Sequence, residues 1–272
     1  MRMIRAVLAG APVVLTVVGL LVGPPVLASL VLHATGRRLA VGLTRLLGRG
    51  AVLVTGWLGV PVHELSHAVL CVVFRHRIDR LVLFQPDPRT GTLGYVNHSW
   101  DGRSPWQVLG TFFIGVAPLV GGAAAILASL HFLLPGAIRV PEVALPAGPG
   151  DEAGWMTMGR ALRDTAAHAA RAMFSPAGLA SWRPWVFFYL ALCVGSHISP
   201  SRPDLEGSLP GGLVFLALVV VAAAVGFAAG VGARLVAIAW TAGLAVGLVL
   251  AFVAAIHLPL VIVVGLLGRL RA

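Results

Sequence analysis

Gly59-Val60-Pro61-Val62-His63-Glu64-Leu65-Ser66-His67-Ala68-Val69-Leu70 sets a carboxylate and two imidazoles in a run otherwise suited to hydrocarbon. From Arg49 to Arg75 no other side chain carries or readily gains charge. A charge at the middle of a bilayer costs at least about 2.5–3.5 kcal/mol on insertion scales, so such residues mark function by default. On a helix, positions i and i+4 share a face one turn apart. His63 and His67 can then aim two nitrogens at one metal ion, with Glu64 beside them to reach a water. This is the HExxH pattern: zinc held by two histidines, with the glutamate as general base.

The rest of the chain explains why a solvated helix face is a poor alternative. Of 272 residues, 58% are hydrophobic and 11% charged, against about 25% charged in a soluble domain. Lipid must cover much of the surface, and the long apolar runs agree. The formal net charge is +10, and all 20 basic residues are Arg. They are scattered over loops and segment ends, which fits positive-inside anchoring and not a nucleic-acid face. Cys71 and Cys193 both lie in apolar segments and read as small core hydrophobes.

The expected fold is an all-α polytopic membrane protein of about six transmembrane helices, with a small β-hairpin after the second. Spans are expected near 7–33, 51–74, 107–134, 184–198, 210–231 and 235–258. Residues 36–49 read as an interfacial amphipathic helix. Residues 76–100 hold two β-prone runs, Leu81–Phe84 and Thr92–Val96, around a Pro/Asp/Gly cluster. Residues 135–183 form a polar loop in which Trp155 to Phe174 can make one amphipathic helix. Arg75, Arg77 and Arg80 place the hairpin end of the second span in the cytoplasm and loop 135–183 outside. The four Arg of 36–49 object to that orientation. The organisation divides into 1–50, a core of 51–210 and C-terminal helices over 211–272. The expected location is integral and multi-pass, in a bacterial inner or cell membrane.

A catalytic zinc site usually takes three protein ligands and a water. No third His stands six residues past His67, where Val73 lies. Gly195-Ser196-His197-Ile198-Ser199-Pro200-Ser201-Arg202-Pro203-Asp204-Leu205-Glu206-Gly207 supplies three candidates, His197, Asp204 and Glu206. Its serines and prolines are expected to break the helix.

HELSH together with this distant acidic segment resembles the site-2 protease family of intramembrane zinc metalloproteases. That family joins HExxH on a membrane helix to a distant Asp in an LDG-type motif. HELSH matches the first motif fully; Pro203-Asp204-Leu205-Glu206-Gly207 departs from the Leu-Asp-Gly order. The resemblance, which covers about residues 50–210, implies Zn2+ held by His63, His67 and Asp204, with Glu64 as general base. His197 is the alternative ligand or a partner that orients Asp204. It also implies a membrane protein or peptide as substrate, unwound to a strand and held along Thr92, Leu93, Gly94, Tyr95 and Val96 by β-augmentation. Partners are then that substrate and the lipid bilayer, with no nucleic acid. A metal-binding transporter or sensor, and a catalytically retired scaffold, are the alternatives.

Overall fold

The computed structural model describes residues 2–48, 50–87, 89–135 and 151–270. The chain runs α1 (Arg2–Leu47), α2 (Gly50–Val73), β1 (Arg77–Val82), β2 (Tyr95–Ser99), α3 (Pro105–Leu133), α4 (Glu152–Phe174), α5 (Pro176–Ala180), α6 (Trp182–His197), α7 (Arg202–Ala228) and α8 (Gly232–Leu270). Among the described residues, four helical segments are long and apolar enough to cross a membrane: Leu53–Val73, Pro105–Leu133, Arg202–Ala228 and Gly232–Gly268. Four, not the six expected, meet that test. The run expected over 7–33 lies inside α1, where only Gly10–Gly23 is a shorter apolar stretch. The one expected over 184–198 is α6, whose 16 residues reach about 24 Å, short of the ~30 Å hydrocarbon core.

Residues 36–49 are not a separate interfacial helix, for α1 continues unbroken through Gly23-Pro24-Pro25 and on to Leu47. The expected loop helix is present as α4, starting slightly earlier at Glu152. Residues 136–150 of that loop lie outside the described residues.

Small residues set how closely the helices approach. A Cβ at Gly59 of α2 would strike the Cys193 carbonyl oxygen of α6. One at Gly115 of α3 would sit 2.6 Å from the Asp204 carbonyl oxygen of α7, and one at Gly122 would sit 2.5 Å from Ile198 Cγ1. Gly121 meets Ser66, the serine of HELSH. The small-residue middle of α3 is therefore the surface on which the helices carrying the candidate site close. Ile126, Leu130, Phe187, Ala191, Val194 and Ile198 fill the core between α3 and α6. Farther out, α1 and α8 run parallel, with Gly243 against Leu20 and Gly42 against Val264.

The hairpin forms, shifted along the chain from its expected strands. After α2, Arg75 takes a positive φ of 60°, and the His76 N–H donates to the Cys71 carbonyl at 2.8 Å. The chain reverses at once, so antiparallel pairing starts at Arg77↔Ser99 and reaches Val82↔Tyr95, with an irregularity between Ile78 and Arg80. Beyond Val82 the Pro-containing turn disrupts regular pairing, though Gln85 N–H still donates to the Leu93 carbonyl (2.7 Å). The hairpin folds back along α2. Phe84 and Leu93 pack over Gly56, and Gly94 presses so close to Val60 and the Val82 and Leu83 carbonyls that a side chain there would clash.

Candidate metal centre

His63 and His67 project from one face of α2 as their spacing requires. Their Nε2 atoms lie 3.1 Å apart. Asp204 faces both, with Oδ2 3.5 Å from His63 Nε2 and Oδ1 3.4 Å from His67 Nε2. A tetrahedral zinc with ligands at 2.0–2.1 Å separates them by about 3.3 Å. The three separations, which reach a different carboxylate oxygen from each imidazole, lie close to that value. His63, His67 and Asp204 offer ligand atoms all within 4.8 Å of one another.

Proton bookkeeping sharpens the geometry. His63 Nδ1 lies 2.7 Å from the His197 carbonyl oxygen, and His67 Nδ1 lies 2.7 Å from the Ile114 carbonyl oxygen. A carbonyl only accepts, so each Nδ1 carries the hydrogen. In the neutral rings both Nε2 atoms then hold bare lone pairs, aimed at each other and at a carboxylate. Three electron-rich groups in contact are stabilised by a cation among them, either a proton on one Nε2 or a metal ion. The donor set of two imidazoles and one carboxylate suits zinc, and the Nδ1–H to carbonyl bonds are the outer contacts that fix a ligating histidine.

Those two carbonyls are free for physical reasons. His197 is the last residue of α6, where carbonyls lack an intrahelical donor. Ile114 lies mid-helix, but the residue four places on is Pro118, which has no N–H to give. Asp204 is fixed at the start of α7 by a capping box: its side chain accepts from Ser201 N–H at 2.6 Å, and Ser201 Oγ accepts from Asp204 N–H at 3.3 Å. The Ser201 hydroxyl also donates to Asp204 Oδ2 (2.6 Å). The helix break expected within 195–207 is thus confined to Ile198–Ser201, and Asp204 is helical.

Glu64 is 7% exposed and makes no hydrogen bond to the described residues. It lines a cavity of about 800 Å³ together with His63, His67 and Asp204. Thr92, Leu93, Gly94, Tyr95, Val96, Asn97 and His98 line the same cavity without a gap. Side chains alternate across a strand, so seven consecutive lining residues mean that the edge of this segment, not one of its faces, borders the space.

His197 also lines the cavity, yet its ring turns back to the Cys193 carbonyl (3.1 Å) and Ser196 Oγ (3.0 Å). Its carbonyl accepts from His63 Nδ1, and its imidazole is not part of the His63, His67 and Asp204 group. Glu206 is exposed and pairs with Arg202 at 2.9 Å. Cys71 and Cys193 are free and buried.

A second histidine pair escaped the sequence reading. His76 Nε2 donates to the Gln107 carbonyl (2.8 Å), and its Nδ1 lies 3.0 Å from His98 Nδ1. Both rings lie against Trp100. They are 22 positions apart and joined only through strand pairing, so no local spacing announces the contact. Set against protein-family models, curated proteins and solved structures, the chain matches none of them.

Proposed function

We propose that the protein is a zinc metalloprotease that crosses the membrane several times and cuts peptide bonds in or beside the bilayer, as the HELSH and Asp204 motifs of the site-2 protease type imply. The observation that carries this reading is the triangle of two bare imidazole nitrogens and a carboxylate beside a buried glutamate. When bound, zinc supplies Lewis acidity toward the scissile carbonyl and lowers the pKa of a water.

The chain's own residues do the rest. His63, His67 and Asp204 hold the ion, and the His197 and Ile114 carbonyls hold the two rings. Glu64 accepts a proton from water as the water oxygen bonds to the carbonyl carbon. It delivers that proton to the leaving nitrogen as the C–N bond breaks. The free edge running from Thr92 to His98 pairs with an unwound substrate segment, presenting its carbonyls to the site. A helical substrate is closed to this chemistry because its carbonyls are already hydrogen-bonded.

Glu64→Gln tests the reading in detergent-purified protein. It keeps the shape of the side chain and removes the base. Zinc stays at about one per chain, while cleavage of transmembrane-helix peptides drops by at least about 100-fold. A zinc-loaded Glu64→Gln protein that cleaves as fast as wild type would falsify the mechanism.

A further inference from the structure

Away from the metal centre, a groove of about 1070 Å³ opens between the C-terminal parts of α1 and α8. Arg37, Arg38 and Arg45 line one wall; Val261, Ile262 and Leu266 are among the apolar residues that line it with them. The three Arg are exposed, and none makes an ion pair or hydrogen bond among the described residues. No carboxylate from the helices that build the groove can serve them, since neither α1 nor α8 contains Asp or Glu.

The depth of the groove narrows the identity of the missing anion. α1 has 46 residues, or about 69 Å of helix, more than twice the ~30 Å hydrocarbon core. Between Arg5 and Arg37 it carries no Asp, Glu or Arg, so that stretch suits hydrocarbon and the Arg37–Arg45 end suits the headgroup layer. Guanidinium groups at headgroup depth beside an apolar wall match a phosphate joined to acyl chains.

We infer that this groove is a binding site for an anionic phospholipid, whose phosphate is held by Arg37, Arg38 and Arg45 and whose chains lie on the α8 wall. Free phosphate shares the headgroup chemistry but lacks the chains.

Native mass spectrometry of the full chain, released from mixed micelles containing dioleoylphosphatidylglycerol or dioleoylphosphatidylcholine, tests this. Wild type retains the anionic phosphatidylglycerol preferentially, and millimolar inorganic phosphate does not displace it. Replacing the three Arg with Gln reduces that retention by at least about tenfold. Gly265→Leu provides a second variant that touches no cation: Gly265 lines the groove, and a Cβ there meets nothing within 4 Å. Its larger side chain enters the groove and lowers retention while the helical circular dichroism and elution profile stay those of wild type. Equal retention of the two lipids overturns the proposal. So does a folded Gly265→Leu protein that binds like wild type, or displacement by phosphate alone.

Discussion

Two histidine pairs in this molecule have nearly the same nitrogen–nitrogen distance and opposite chemistry. His63 and His67 meet at 3.1 Å, His76 and His98 at 3.0 Å. In the second pair the proton count closes: His76 gives its Nε2–H to Gln107, and His98 Nδ1–H donates to the bare His76 Nδ1. In the first pair both hydrogens are spent on backbone carbonyls, leaving two lone pairs and a carboxylate face to face. The distance between two imidazoles therefore does not mark a candidate metal site; the partners of their far nitrogens distinguish the two pairs.

Metal content separates the two pairs most strongly. Elemental analysis of purified protein is expected to give about one zinc per chain for wild type, with marked loss in His67→Ala and in Asp204→Ala. The loss in affinity exceeds the ~10–100-fold typical of an outer contact, because each of these removes a ligand. His98→Ala retains its zinc. If His98→Ala lost metal as fully as His67→Ala, the two pairs would not differ in the way their proton counts require.

A smaller effect is expected where the first pair is held by backbone. Gly59→Ala puts a methyl against the Cys193 carbonyl and 2.7 Å from His197 Nδ1. Backbone cannot swing aside as a side chain can, so α6 must shift, and its terminal carbonyl moves off His63. Zinc affinity, measured by competition with a chelator, falls by roughly 10–100-fold. Gly19→Ala, which meets nothing within 4 Å, leaves it unchanged. Unaltered affinity in a folded Gly59→Ala protein would mean that the His197 carbonyl does not orient the ring.

How much of this was legible in the sequence differs between the two pairs for the same reason. His63 and His67 are joined by helical periodicity, so the local pattern reveals their shared face. Asp204 carried a local signal too: Ser201-Arg202-Pro203-Asp204 before an apolar run has the spacing of a capping box, which places Asp204 in the first turn of a helix and not in broken backbone. The His197 carbonyl was less accessible, because a helix-end carbonyl becomes a partner only when another helix comes within reach. Pro118 did announce a free carbonyl at Ile114, but nothing local says that His67 would find it. The His76–His98 contact depends on strand register, which the irregularity between Ile78 and Arg80 resets. The count of six spans is not confirmed, for α6 on the ground of length: it is a short helix that a hydropathy pattern cannot separate from a full crossing.

The smallest expected effect lies in the second pair and depends on pH. Burial, and then the charge His76 would bring, hold the His98 pKa below the ordinary histidine value. Its unfolded form takes up a proton more readily than its folded form. Stability from this group is therefore complete above the ordinary value of about 6.5 and declines as pH falls through it toward the lowered folded pKa. Acid also competes with any metal for His63 and His67, so total stability does not separate the two. Hydrogen exchange at the β2 amides does. In wild type their protection weakens between about pH 7 and pH 5, even with zinc in excess. In His98→Gln, which keeps a hydrogen-bonding side chain and cannot charge, the profile flattens. An identical pH profile in the two proteins would show that the His76–His98 contact does not hold the strand, and that the pair is proximity without energetic consequence.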